Sequence, residues 1–284
     1  MKRVVVTGAS GFIGSALIKL LSSTDWDVIP FVRNSISHDN EVIMDFRDPG
    51  FVNDLNSLPE VNAVVHLAAM PGFDQPSMEL LFEPNVFSTA AIAQFALKRE
   101  AYLLFSSGAV IVCGTKKSCI TAETKLEPDT NYGYSKWLAE EIIKMSNANY
   151  CILRIGGVFG VNGPCHLSLN KSIDRALRGV RPVMYGDGML KRNYLYVKDL
   201  ASIFLFCLEN RINGTHLVSG SYANTMYEML HTICDLLLDC DAPELRDGDS
   251  GSDQIIEHSQ ALPKGRSFED AVCDIKKDVE DDVL

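Results

Sequence analysis

The sequence has no run of about 18 consecutive apolar residues, which argues against a membrane-spanning helix. Positive charge is also scarce. The 26 Lys and Arg face 37 Asp and Glu, a net of −11, which disfavours a nucleic-acid partner held by phosphate neutralisation. From residue 241 onward thirteen acids face five bases, so most of the excess belongs to the last stretch. The eight cysteines (Cys113, Cys119, Cys151, Cys165, Cys207, Cys234, Cys240 and Cys273) form no C-x-x-C pair and no framework spacing. Most lie in apolar runs and read as reduced core thiols. The opening MKRVVVTGASGFIG offers too short an apolar run for a secretion signal, and no cleavage site follows it. A cytoplasmic location is expected, so the sequons at Asn170 and Asn213 carry no weight. DGDSGSD (247–253) has the acidity of a calcium loop, but its glycine stands at the wrong offset and no closing Glu follows. It reads as a solvated loop, and no metal site is expected.

What remains is ordinary globular material, 46% apolar and 22% charged, long enough to bury a core without staples. Strand and helix signals alternate from the start. Apolar runs at 4–6, 27–32, 63–69, 101–107 and 150–160 read as strands, with helical periodicity through SALIKLLSS and PNVFSTAAIAQFALKRE. Such alternation implies a parallel sheet covered on both faces, hence a doubly wound α/β domain of the Rossmann type over residues 1–160. Beyond it, residues 161–284 carry more turns and read as a smaller substrate-binding region, with part of 190–218 returning to the main sheet.

TGASGFIG places Gly8, Gly11 and Gly14 directly after the first strand and at the mouth of a helix. One glycine permits the tight turn, one lets a pyrophosphate approach the backbone, and one brings the helix close to the sheet. The helix N-terminus then offers free N–H groups to the phosphates. At the end of the second strand, Phe31-Val32-Arg33-Asn34 has no carboxylate for the ribose hydroxyls of NAD. Arg33 is a candidate clamp for a 2′-phosphate, so NADP is the preferred cofactor and NAD the alternative.

Tyr132 and Lys136 in NYGYSKWLAEE are four apart on a helical segment and share one face. An ammonium about 5 Å from a phenol, at an effective dielectric of ~20, is worth roughly 3 kcal/mol, or about two pKa units toward the phenolate. Such a pair suits proton transfer at a hydroxyl or carbonyl while a hydride moves to or from nicotinamide. Tyr134 lies on another face.

These motifs, taken in order, resemble the NAD-dependent epimerase/dehydratase family of extended short-chain dehydrogenases/reductases, most of which act on nucleotide-linked sugars. The likeness runs through TGASGFIG, MDFRD (44–48), HLAA (66–69), Asn85, FSS with a later glycine, Tyr132 to Lys136, LRIGGVFG (153–160) and GDGMLKRNYLYVKDLA (186–201). The resemblance implies that Gly8, Ser10, Gly11, Phe12, Ile13 and Gly14 line the pyrophosphate. Asp45 and Phe46 would contact adenine, and Leu67, Ala68 and Ala69 would pack along the cofactor. Tyr132 would be the acid/base and Lys136 its partner on the nicotinamide ribose. Ser107 would share the substrate hydroxyl, with Ser106 as the alternative, and Arg192 would meet the nucleotide diphosphate. Two departures stand out. SSGAVIVCG is two residues longer than the family form, with Cys113 in place of tyrosine, and Gly156-Gly157 stands where the family often has an asparagine.

The resulting expectation is an oxidoreductase on a nucleotide-diphosphate sugar, foremost a 4-keto-6-deoxyhexose reductase. A 4-epimerase with tightly bound NAD is the alternative, and a homodimer is left open. A non-catalytic dinucleotide sensor is the reading from another class, against which Tyr132 and Lys136 argue.

Overall fold

The computed structural model describes residues 2–281 apart from Pro49, Phe73, Asp241 and Ser250. Seven strands form one sheet: β1 (Lys2–Thr7), β2 (Trp26–Val32), β3 (Val42–Ile43), β4 (Ala63–His66), β5 (Tyr102–Gly108), β6 (Tyr150–Ile155) and β7 (Gly214–Val218). Their order is β7-β6-β5-β4-β1-β2-β3. The pairings from β3 across to β6 are all parallel. Val4, Val5, Val6, Val64, Val65, Leu103 and Leu104 are wholly buried, as strands sandwiched between helices must be. Pro30 is tolerated inside β2 because β3 pairs only with Phe31 and Val32, so the missing N–H interrupts no ladder. The order reverses at β1, and a doubly wound sheet binds ligands beside the carboxyl ends of its strands at such a switch point.

The helices of this region are α1 (Phe12–Leu21), α2 (Phe51–Ser57), α3 (Met78–Leu81), α4 (Ser88–Lys98), α5 (Ala109–Cys113) and α6 (Asn131–Met145). A π-turn, Phe82–Phe87, joins α3 to α4. Pro84 lies inside it, where the missing N–H and the ring's clash with the preceding turn force the wider winding. By length and composition the 21-residue helix Met78–Lys98 could cross a membrane, which a search for unbroken apolar runs does not detect. Its packing assigns it to the core: Leu81, Val86, Ile92, Ala93, Phe95 and Ala96 are buried.

The chain divides into two compact units. The first runs to Lys116 and adds Thr124–Ile155 and Leu200–His216; the second comprises Lys117–Glu123, Gly156–Asp199 and the chain from Leu217 onward. The run at 150–160, expected as one strand, ends at Ile155, and Val158–Phe159 pairs instead with Leu195–Tyr196. Likewise β4 stops at His66, short of the expected 69.

In the second unit short strands pair two by two, and helices at Ser168–Leu177, Met226–Ile233 and Phe268–Asp281 cover them. Asn193 ties this unit together. Its amide donates to Ser219 Oγ, Gly220 O and Ile256 O, while its Oδ1 accepts from Ile256 N.

Candidate active site

The glycine turn joins β1 to α1. Gly8 has φ +67°, and a Cβ there would stand 2.8 Å from the backbone N of Ala68. Gly14 is buried under the turn, where a Cβ would come within 2.2 Å of Gly8 O, so α1 rests directly on the loop. Gly11 is the N-cap and supplies no side-chain acceptor. The first-turn N–H groups of α1 therefore lack a side-chain cap, the arrangement that binds phosphate. Ser10 and Gly11 are exposed, and Phe12 and Ile13 are half-buried. Gly8 thus makes the tight turn and Gly14 the close packing, and the uncapped N–H groups following Gly11 are what a dinucleotide pyrophosphate would need.

At the far end of this region Val32 is buried and Arg33 exposed. Asp45 is engaged by Arg47, whose Nε and Nη2 donate to the carboxylate at 3.0 and 2.5 Å. Those bonds, with Arg33 as a lesser contributor, hold Asp45 down at about 2. The Phe46 ring is core, edge-on to Phe51 at 5.0 Å and to His66 at 5.8 Å between centroids.

Past β4, Leu67, Ala68 and Ala69 are half-buried beside the glycine turn. The Leu67 and Ala68 amides both donate to Thr7 Oγ1 at 3.1 Å. Farther on, Gly72 lies so close to Tyr132 that a Cβ would come within 2.5 Å of the tyrosine Cβ. Asn85, on the π-turn, clasps this segment: its Oδ1 accepts from Met70 N at 2.7 Å, and its Nδ2 donates to Met70 O and Ser135 Oγ.

Thr130 caps α6 by accepting from Gly133 N at 3.0 Å, and the helix then presents Tyr132, Lys136 and Glu140 at four-residue intervals. Glu140 is wholly buried and pairs with Arg154 of β6 at 2.7 Å, which pins the helix to the sheet. Lys136 is 4% exposed. Its Nζ donates to Ser106 O at 3.0 Å and sits 4.7 Å above the Phe105 ring. Burial lowers this amine to about 8, against the opposing pull of Glu140.

The expected lowering of the Tyr132 phenol is corrected here: burial pushes it up to about 12. The lysine, itself desolvated and turned to a carbonyl, does not overcome that burial in the chain alone.

Ser106 and Ser107 point to opposite faces of β5, as consecutive strand residues do. Ser106 Oγ donates to His66 O at 3.3 Å. Ser107 Oγ is buried and finds no hydrogen-bond partner among the described residues. A buried hydroxyl without a partner costs about 1–3 kcal/mol, which sets Ser107 apart from the bonded Ser106.

Arg192 belongs to the second unit. Its Nη1 donates to Lys191 O at 3.0 Å and Ser252 O at 2.5 Å. The Tyr194 ring fills the space a side chain at Gly157 would take, 2.5 Å from the ideal Cβ. At Gly156, the other glycine of the pair where the family often has an asparagine, a Cβ would stand 2.8 Å from Ile256 Cδ1.

Reading the sequence motif by motif missed Thr7 and Thr89. Thr7 is 0% exposed and follows the buried run Val4–Val6, and a hydroxyl closing a buried valine run was the available signal.

A family profile described as the NAD dependent epimerase/dehydratase family matches residues 4–220. A Methanocaldococcus jannaschii protein named as a candidate UDP-glucose 4-epimerase is 29% identical over 248 residues, 80% of this chain and 81% of its own. The structure of a Thermotoga maritima UDP-glucose 4-epimerase with UDP-glucose superposes with a TM-score of 0.83 at 19% identity, covering 99% of this chain and 100% of that one. A Bacillus cereus UDP-glucuronic acid 4-epimerase in complex with NAD gives 0.78 at 18% identity, covering 98% and 99%.

Proposed function

This chain belongs to the NAD dependent epimerase/dehydratase family, and we propose that within it the enzyme is a nucleotide-sugar 4-epimerase that retains its dinucleotide. The observation that carries the reading is Ser107, a buried, unpaired hydroxyl on the strand whose Ser106 carbonyl holds Lys136. The relatives favour epimerisation over the reduction expected from the sequence, since all three described above bear 4-epimerase names. One of those structures contains NAD, which supports NAD over NADP.

When bound, the nicotinamide supplies a reversible hydride acceptor. The chain's own part is binding and proton movement. Gly8, Ser10, Gly11, Phe12, Ile13 and Gly14 hold the pyrophosphate, and Asp45, Phe46 and Leu67–Ala69 flank the rest of the dinucleotide. Ser107 Oγ accepts or donates at the sugar hydroxyl while Tyr132 Oη, as phenolate after giving its own proton to solvent, takes the sugar hydroxyl's proton and later returns it. A phenol held near 12 is a proton donor at neutral pH, so removing its proton depends on positive charge brought close to it. Lys136 supplies part of that charge. Arg192 meets the substrate diphosphate with a fork of donors.

Incubating the purified protein with UDP-glucose or UDP-galactose, with no added cofactor, tests this directly by NMR of the product. Interconversion together with dinucleotide released on denaturation is the expected result. Consumption of one NADPH per 4-keto sugar reduced, with no interconversion, would establish the reductase instead.

A further inference from the structure

His66 is a fully buried histidine whose two ring nitrogens both meet threonine hydroxyls. The direction of each bond follows from donor and acceptor counts. Thr89 Oγ1 donates to Asn85 O at 2.7 Å, so it can only accept from His66 Nε2, at 3.2 Å. Thr7 Oγ1 already accepts from the Leu67 and Ala68 amides, so its proton goes to His66 Nδ1 at 2.7 Å. The ring is therefore the neutral Nε2–H tautomer. Its faces are closed by Phe46 and Phe105, at 5.8 and 5.7 Å between centroids.

The chain of bonds does not stop at Thr89. Asn85, whose carbonyl Thr89 holds, clasps Met70 through its amide and donates to Ser135 Oγ at 3.0 Å. Ser135 Oγ donates in turn to Tyr132 O at 2.8 Å. A series of hydrogen bonds, joined at Asn85 by the residue's own covalent frame, thus runs from the residue before Gly8, through a single imidazole, to the backbone of Tyr132. Each group in it is buried or half-buried; the hydroxyls of Thr7, Thr89 and Ser135 and the imidazole each donate and accept, while the Asn85 and Tyr132 carbonyls accept.

We propose that His66 is a positioning residue that locks the dinucleotide-binding turn and the tyrosine-bearing helix into one register, through Thr7 on one side and Thr89, Asn85 and Ser135 on the other. The proposal rests on the reading of Tyr132 as the acid/base. Any core histidine needs partners for its two buried nitrogens, so the two bonds by themselves do not mark a register device. A register device needs both, because each hydroxyl passes the constraint to a different backbone segment.

Thr89→Val tests this, since valine keeps the shape and removes both the acceptor for His66 and the donor to Asn85. Turnover is expected to fall about tenfold or more, as misplacement of a catalytic group does, while KM for the nucleotide sugar stays within about twofold. Thr89→Ser is expected to restore the rate. Hydrogen exchange supplies a readout that needs no substrate: Thr89→Val should speed exchange at the Ala68 and Met70 amides, neither of which touches residue 89. Long-range proton–nitrogen NMR should show the Nε2–H tautomer in the wild type. Unchanged exchange at both amides, or an Nδ1–H tautomer, overturns the proposal. If the wild type turns over no nucleotide sugar, the epimerase reading fails, and exchange and tautomer still decide the role of His66.

Discussion

In the first unit, the side chains assigned to chemistry stand at the ends of parallel strands or along one helical stripe. Buried bonds fix them there: Glu140 to Arg154, Lys136 to Ser106, and Thr7 through His66 to Thr89. In the second unit, Arg192 occupies a two-residue strand, and its guanidinium is held by the carbonyls of Lys191 and Ser252, the latter sixty positions away. The first arrangement makes atomic placement a property of the sheet. The second makes it a property of loops, where a neighbour such as Tyr194 can take over space left by Gly157. We propose accordingly that chemistry and cofactor binding belong to the first unit and substrate recognition to the second, which is built from short pieces.

Four measurements would sharpen or break that division. The largest effect is expected in the first unit: Tyr132→Phe should lower turnover by at least about 10²-fold while dinucleotide affinity stays within about twofold. Near-normal turnover would remove Tyr132 from the chemistry. In the second unit, Arg192→Ala should weaken UDP binding, followed by calorimetry, by about 10- to 150-fold, the range for one charge-assisted bond of 1.5–3 kcal/mol. Dinucleotide affinity should not move. A parallel loss of both affinities would show that the units do not divide the labour.

A third, smaller effect concerns acid. Burial, helped by the nearby Lys136 charge, lowers His66 to about 3. An unfolded histidine takes its proton near 6.5, so below that pH the unfolded state binds more protons than the folded one. Stability from this group is complete above about 6.5 and is lost as pH falls toward 3, by up to about 1.4 kcal/mol per pH unit. Denaturant titrations of the wild type and His66→Gln should therefore diverge in slope against pH over that window. Parallel slopes would mean the imidazole is not held neutral. The smallest effect is expected at Arg33: NAD should bind at least as tightly as NADP, and Arg33→Ala should change their ratio by less than about threefold. A wild type preferring NADPH tenfold would return the reductase reading to the front.

Much of the first unit could be read in advance because its cause is local. Gly8, Gly11 and Gly14 announce a turn that only glycine can make, and the alternation of Val-rich runs with helical periods announces the sheet. The four-residue spacing of Tyr132 and Lys136 fixes their common face. The π-turn was also within reach, since Pro84 inside a helical period must distort it. The Tyr132 phenol was not. Its expected direction came from a pairwise charge argument, whereas burial, a property of everything packed around it, acts the other way. The choice between Ser106 and Ser107 was open for the same reason, because a satisfied and an orphaned hydroxyl look alike in a sequence.

Sequence alone determined the elements whose physics lies within a few residues: the glycine turn, most of the sheet's strands, the helical segment of Tyr132 and Lys136, and the family to which the motifs point. Only the tertiary structure decided the rest. It brought Thr7, His66 and Thr89 into one hydrogen-bonded line, left Ser107 without a partner, and set Tyr194 in the place of the missing side chain at Gly157. These depend on which distant groups exclude water from one another, and desolvation, unlike helical or strand periodicity, has no signature along the chain.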